Sequence, residues 1–267
     1  MVVVGKLKYL PWRVEGRDIH SSFSTTKHIN NGVYEILFDD GWKSTATSSQ
    51  LRSGTMKSPF HKGTFGVGCM GDGYYNYKDH NKVHQTWSNM LKRCYDCSYR
   101  DYHLYGGRGV TVCKEWHNFQ NFAEWYTNNY KEGYVLDKDL KGSGKEYSPS
   151  ECLMLPSIIN TFITNSMGKK GKNPYTGVYE SGNNYITRCC QLDNCQKHLG
   201  SYKTAQEAYD VYEKEKVRLA KILATDLENS IGEEAYNYLT NFDKYIRNLT
   251  INPYTKGEKQ YANRISK

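Results

Sequence analysis

Residues 136–160 read Leu136-Asp-Lys-Asp-Leu-Lys-Gly-Ser-Gly-Lys-Glu-Tyr-Ser-Pro-Ser-Glu-Cys-Leu-Met-Leu-Pro-Ser-Ile-Ile-Asn160. Runs of β-forming residues at 134–139 and 152–155 enclose a loop at 141–148 that contains glycine and serine. Pro156 suits the first position of a helix, because its missing N–H group is not needed there. That helix is predicted to reach about residue 165. The order strand, loop, strand, helix predicts an α+β fold.

Composition excludes several classes of protein. The chain has 267 residues and 36 Lys+Arg against 28 Asp+Glu, a formal charge of +8. Its 24 Tyr, 8 Phe and 5 Trp argue against a disordered chain. No run approaches the roughly 20 apolar residues of a membrane helix, and no signal peptide is apparent. We therefore expect no membrane partner. A basic, tyrosine-rich chain suits nucleic-acid binding, but +8 is too modest to decide it.

Glycine-rich and polar stretches divide the chain into three predicted domains, residues 1–75, 76–168 and 175–252. The first is expected to be a small N-terminal β module, since β-forming runs at 32–38 and 42–47 flank a turn signal, Asp-Asp-Gly. The second begins with a predicted helix. Its apolar stripe consists of Val83, Trp87, Met90, Leu91 and Cys94.

The third domain is predicted to be a three-stranded sheet plus a helix, with an extra terminal helix. The β runs lie near residues 177–180, 185–190 and 196–202. The helix begins at Thr204, and Glu207 completes a capping box with that threonine. A further helix is predicted over residues 233–249.

The central part of the chain, roughly residues 83 to 165, resembles bacteriophage endonucleases of the HNH class, including the homing type. The resemblance rests on residues 136–160 and on three upstream strings: Trp87…Met90-Leu-Lys-Arg-Cys94, Tyr105-Gly-Gly-Arg-Gly109 and Glu115-Trp…Phe119…Phe122…Trp125. It implies a ββα-metal nuclease centre, double-stranded DNA as partner, phosphodiester hydrolysis, and the cytoplasm of an infected bacterial host as location.

By position, the resemblance implies that Asp137 is the metal ligand on the strand and Asn160 the ligand on the helix. A carboxylate and an amide oxygen are hard ligands that suit Mg²⁺ or Mn²⁺. Such a metal would stabilise the leaving 3′-oxygen and polarise the scissile phosphate. Arg108, behind a glycine pair expected to be flexible, could reach a phosphate with its guanidinium.

Two positions depart from the HNH pattern. Lys138 stands where the general base is normally His, and Glu151 stands where the central Asn is expected. A protonated lysine is a poor base unless burial lowers its pKa. Either Asp139, Glu151, His103 or His117 activates the water, or cleavage is weak or lost. Considered without the resemblance, each of the two histidines is better explained as a structural residue.

Cysteines offer a separate metal hypothesis. Cys94 and Cys97 form a C-x-x-C pair, and Cys113 and Cys152 could complete a four-thiolate zinc site if the fold brings them together. Buried free thiols are the alternative.

Residues 175–224 resemble the Apetala-type DNA-binding module. The resemblance rests on Gly177-Val, Tyr185-Ile-Thr-Arg-Cys-Cys190, Leu199-Gly-Ser-Tyr and Thr204-Ala…Glu207-Ala. It implies that the sheet enters the major groove and that four residues contact DNA: Tyr179, Arg188, Gln196 and His198. Strand alternation predicts that Tyr185, Thr187 and Cys189 face the helix while Ile186, Arg188 and Cys190 face outward. The sheet has few Arg and Trp residues, so lower sequence specificity is expected, and a plain solvated sheet is the alternative.

Together these patterns predict a metal-dependent DNA endonuclease. Two other interpretations stay open. One is a DNA-binding phage protein that cleaves weakly or not at all and acts as a regulator or as an inhibitor of a host system. The other is a protein–protein inhibitor that binds a host protein through a tyrosine-rich surface and shows no salt-dependent DNA binding.

Overall fold

A computed structural model describes residues 23–53, 56–140, 144–166 and 174–247 of the chain. Parts of the predicted 141–148 loop and of the third domain beyond residue 247 lie outside the described residues. The fold mixes helices with several small sheets, which confirms the α+β class. Two compact units are present, residues 1–128 with 145–148, and residues 129–144 with 149–267. The three-domain division stays a prediction.

The first unit begins with a three-stranded antiparallel sheet. Its strands are β1 (Phe23–Asn30), β2 (Val33–Phe38) and β3 (Lys43–Thr47), in that order, followed by the short helix α1 (Ser48–Ser53). The predicted hairpin of β2 and β3 is confirmed, whereas β1 was not predicted. Ile36, Phe38 and Ala46 form the small core of this sheet.

The rest of the first unit is built on aromatic packing between two helices, α2 (Asn81–Tyr95) and α3 (Phe119–Asn129). Most of the predicted stripe on α2 is buried, and Val83 is half-buried. Trp87 is fully buried and its indole N–H donates to the carbonyl of Trp116 at 2.7 Å. Strand β4 (Thr111–Val112) pairs in parallel with β6 (Glu146–Tyr147).

The second unit contains a hairpin that leads directly into a helix. Strand β5 (Tyr134–Asp137) pairs antiparallel with β7 (Leu153–Pro156), and α4 (Ser157–Ser166) follows. The prediction that Pro156 opens the helix was wrong by one residue. Pro156 ends β7 opposite Tyr134, where a two-stranded sheet has a free edge that tolerates a residue without an N–H group.

The C-terminal strands confirm the predicted third sheet. Strands β8 (Val178–Ser181), β9 (Asn184–Cys190) and β10 (Gln196–Tyr202) are antiparallel in sequence order and pack on α5 (Ala205–Asp226). The capping box is present, since the N–H of Glu207 donates to the Thr204 hydroxyl at 3.2 Å and the N–H of Thr204 donates to the Glu207 carboxylate at 3.1 Å.

The terminal helix is shorter than predicted. Helix α6 (Glu233–Thr240) ends after two turns, and a 3-10 turn follows at Phe242–Lys244. Asn241 ends α6 by donating from its side chain to the carbonyl of Asn237, a local bond that competes with the helical pattern.

One core unites the second unit. Leu155, Phe162 and Ile163 of the hairpin and α4 share a buried cluster with Tyr212 of α5 and Leu239 of α6. The hairpin, the three-stranded sheet and the terminal helix are therefore packed together rather than strung along the chain. No helix in the described ranges has the length and apolarity to cross a membrane.

Candidate active site

Asp137 is the last residue of β5, and it is buried with 5% of its surface exposed. One oxygen, Oδ1, accepts backbone hydrogen bonds from Asp139 at 3.0 Å and from Leu140 at 2.8 Å. This side-chain turn fixes the carboxylate against its own backbone. Burial, together with the nearby charge of Asp139, raises the pKa of Asp137 to about 6. The site thus concentrates negative charge in a dry position.

Lys138 lies at the position expected for a histidine base, and only 7% of it is exposed. Its ammonium forms an ion pair with Oδ1 of Asp139. The ion pair places the amino group of Lys138 directly beside the carboxylate of Asp139.

Glu151 lies two residues before β7. Asp137 pairs with Leu153, and Glu151 precedes that residue by two positions at the same end of the two strands. Asp137, Asp139 and Glu151 are thus three carboxylates at one end of one hairpin.

Asn160 occupies the first turn of α4 and is half-buried beside the fully buried Ile159. Its backbone carbonyl accepts a hydrogen bond from the Thr164 hydroxyl at 2.8 Å. Helix α4 packs against both β5 and β7. The hairpin and the start of the helix are consequently held in a fixed relation.

Tyr238 of α6 is a neighbour that sequence reasoning missed. Burial and the charges of Asp137, Tyr245 and Asp139 raise its pKa above the ordinary tyrosine value. Its ring stacks on Tyr245 at 4.4 Å between centroids. Nothing in the sequence signals this contact, because about 100 residues separate Tyr238 from the hairpin.

Two further candidates belong to the first unit. Arg108 is exposed on a 3-10 turn, Gly106–Arg108. The preceding glycine pair packs closely at Gly106, where a Cβ would collide with the carbonyl of Cys94; the expected flexibility of the pair stays a prediction. Gly106 is needed for this close approach of the turn to the end of α2.

His117 is half-buried and contacts Tyr95, whose hydroxyl lies 3.2 Å from its Nε2. The same hydroxyl donates to the carbonyl of Val112 and accepts from its N–H. Burial lowers the pKa of His117. This histidine is part of a local network that joins α2 to β4. The other histidine candidate, His103, is exposed, and its Nδ1 lies 3.1 Å from the carbonyl of Arg100.

The four cysteines of the zinc hypothesis divide between the units, with Cys94, Cys97 and Cys113 in the first and Cys152 in the second. Cys94 and Cys152 are buried, and Cys97 is exposed. Over the described part of the chain, no three His, Cys, Asp or Glu side chains gather as a metal-binding group. The zinc hypothesis stays a prediction.

The three-stranded sheet presents the four predicted DNA-contacting residues on one face. Arg188 pairs with His198 across β9 and β10, Cys190 pairs with Gln196, and Ile186 pairs with Tyr179 of β8. Side chains at alternate positions share a face, so Tyr179, Arg188, Gln196 and His198 lie together. All four are exposed.

The opposite face of this sheet packs on α5 as predicted. Thr187 and Cys189 are fully buried, and Tyr185 is half-buried. Cys190, predicted to face outward, is half-buried, because the side-chain amide of Asn165 on α4 donates to its sulfur at 3.7 Å. The exposed face is therefore bounded by α4 at that end.

Comparison with protein-family models, with curated proteins and with solved structures found no significant match. Function must therefore be inferred from the residues and their placement.

Proposed function

We propose that the protein is a metal-dependent endonuclease of the HNH type that hydrolyses phosphodiester bonds in duplex DNA. The observation that carries the proposal is the hairpin and helix of the second unit. They hold Asp137 at the end of a strand and Asn160 in the first turn of the following helix. A strand hairpin followed by a helix, with an acidic residue on the first strand and an amide on the helix, is what the resemblance to the HNH class implies around one divalent metal.

The donor set fits a hard divalent cation. Among the described residues, neither Oδ2 of Asp137 nor the side-chain amide of Asn160 is used in a hydrogen bond to the protein. Both oxygens are thus free to bind Mg²⁺ or Mn²⁺, with water and phosphate oxygens as the remaining ligands. The buried Asp137 beside Asp139 is a site where a cation would relieve charge repulsion.

Each residue around the proposed metal site would have a distinct role. When bound, the metal would stabilise the leaving oxygen and polarise the phosphate. Lys138, a cation paired with Asp139, balances part of the negative charge at the hairpin end. Asp139 and Glu151 are the carboxylates placed to accept a proton from the attacking water.

DNA would be held by the exposed sheet face. Arg188 offers a guanidinium fork for guanine or phosphate, and Gln196 offers an amide that can pair with adenine. Tyr179 and His198 flank them on the same face. With one arginine on this face, affinity is expected to depend more on phosphate than on base sequence.

A second function is favoured by one observation, the cationic Lys138 in place of a histidine base. A protein that keeps the sheet face but lacks an efficient base would bind DNA without cutting it. It could then act as a regulator or interfere with a host system.

The test is incubation of the purified chain with supercoiled plasmid in Mg²⁺, Mn²⁺ or EDTA. We expect metal-dependent nicking or linearisation, reduced roughly 100-fold or more in Asp137→Asn and in Asn160→Ala, because several kcal/mol of metal stabilisation would be lost. Asp226→Asn, an exposed site on α5, is the matched control and should cleave normally. Equal cleavage by Asp137→Asn would refute the assignment. Salt-dependent DNA binding without cleavage in any metal would select the second function.

The sheet face is tested separately by gel shift. Arg188→Ala should weaken binding and lower the slope of log affinity against log salt by about 1. Lys221→Ala, which removes the same charge from an exposed position on α5, should leave the slope unchanged. Equal effects of the two variants would exclude the sheet as the DNA-binding face.

A further inference from the structure

Lys216 is a buried cation inside the second unit. It lies on α5 with 1% of its surface exposed. Its ammonium lies 4.4 Å from the centroid of the Phe162 ring. Among the described residues it forms neither an ion pair nor a hydrogen bond. Burying a charge without an anionic partner is costly, and the ring interaction offsets only part of that cost.

A cavity of about 280 Å³ opens beside this lysine. It lies between α4, the turn that joins β9 to β10, and α5. Ser157, Thr161 and Asn194 at its border are exposed, whereas Lys216 is at its buried end. The volume falls just below the usual range for ligand pockets, so it suits a small molecule rather than a polymer.

The lining combines donors for an anion with groups for a planar ring. Besides Lys216, the hydroxyls of Ser157 and Thr161 and the amides of Asn165 and Asn194 border the space. Side-chain amides pair with the edges of nucleobases, and Phe162 supplies an apolar wall.

We propose that this cavity is a binding site for a nucleoside monophosphate, with the phosphate paired to Lys216 and the base against Phe162 and the amides. The phosphate supplies the anionic partner that this lysine lacks among the residues the structure describes. Burial also lowers the pKa of Lys216, because the charged form is desolvated. A bound anion would offset this desolvation. The site shares no residue with the Asp137 centre and none of the four predicted DNA-contacting residues, and it meets the sheet only at Cys190, so it stands whether or not the chain cleaves DNA.

Isothermal titration of the full chain with dAMP, deoxyadenosine and inorganic phosphate tests the proposal. We expect dAMP to bind, deoxyadenosine to bind at least about tenfold more weakly, and Lys216→Met to weaken dAMP by at least about tenfold. Lys221→Met, which removes an exposed lysine of the same helix, should bind like the unchanged chain. No binding of dAMP, equal binding of deoxyadenosine, or unchanged binding by Lys216→Met would overturn the proposal.

Two further arms make the result independent of folding and of DNA. Thr161→Val and Asn165→Ala change the wall of the cavity while keeping Lys216, and each should weaken dAMP severalfold in a protein with unaltered circular dichroism. Wild-type affinity in both variants would argue against this location. If a short DNA duplex, but no monophosphate, protects the Cys190 thiol at the cavity from alkylation, the ligand is backbone phosphate and the proposal fails.

Discussion

Gly177, just before β8, tests the packing that holds the DNA-binding sheet against α5. Its φ is +77°, a conformation that L side chains rarely adopt. A Cβ there would collide with the buried ring of Tyr212 and lie 2.7 Å from the carbonyl of Arg188. The carbonyl of Gly177 also accepts bonds from Arg188 N–H at 2.9 Å and the Thr187 hydroxyl at 3.1 Å. The residue is thus fixed on both sides.

The cost of Gly177→Ala has two parts. The left-handed backbone costs about 1–2 kcal/mol for an alanine. Overpacking against Tyr212, which is 2% exposed, adds roughly 1–3 kcal/mol. We expect a total loss of about 2–5 kcal/mol in the free energy of unfolding. Gly182→Ala is the matched control, because Gly182 has φ +59° but no atom lies within 4 Å of the point that a Cβ would occupy. It should cost the backbone part alone.

Urea unfolding followed by tyrosine near-UV circular dichroism is the assay. All five tryptophans precede residue 129 and belong to the first unit, whereas tyrosines of both units, among them the stacked Tyr209 and Tyr212 of the second, contribute to the tyrosine signal. With a slope of about 1–3 kcal/mol/M, Gly177→Ala should lower the midpoint by roughly 1 M or more. A midpoint within error of Gly182→Ala would show that the contact of Gly177 with Tyr212 is not as tight as the structure places it.

Two further stability predictions concern α5. Thr204→Ala should cost about 1 kcal/mol by removing the cap on Glu207 N–H, whereas Thr204→Ser should keep most of it; equal urea midpoints for the two would exclude the capping role. Glu215 accepts hydrogen bonds from Arg218 and Lys197, and these lower its pKa from 4.5 to about 2. Because the folded pKa is the lower one, this stabilisation is present above about pH 4.5 and is lost as the pH falls towards 2. Glu215→Gln should therefore lower the free energy of unfolding by about 1 kcal/mol at pH 7, a figure that allows for the exposure of Arg218 and Lys197 to solvent. Near pH 2 the variant and the unchanged chain should be equally stable, and a difference in stability that persists there would contradict the prediction.

Local patterns predicted local structure well. The alternation in residues 185–190 correctly placed Thr187 and Cys189 towards the helix, because alternate residues of a strand share a face and one face of this sheet packs on α5. Boundaries were less accurate, as Pro156 shows. Strand β1 was missed because its run of Ser, Thr and Lys has no apolar alternation, and only pairing with β2 makes it a strand.

Contacts between residues far apart in the sequence could not be predicted in the same way. For the cavity beside α5, however, the sequence does contain a signal of the buried lysine. Lys216 follows Tyr212 by four positions and precedes Leu219 by three, so it interrupts the apolar stripe of α5. A lysine within the apolar stripe of a helix either marks the edge of the buried face or is a buried charge with a functional role. Tyr238 has no such signal, since its approach to Asp137 depends on how α6 packs.

The arrangement of the second unit bears on which residue would activate water. Asp139 and Glu151 lie at the same hairpin end as Asp137, and a single core fixes that hairpin to α4. His117, by contrast, has its Nε2 3.2 Å from the Tyr95 hydroxyl, which already occupies that ring nitrogen. A proton acceptor must be within hydrogen-bond reach of the water it serves. If the chain cleaves DNA, the base is therefore best sought among the carboxylates, and Glu151→Gln should slow cleavage more than His117→Gln does.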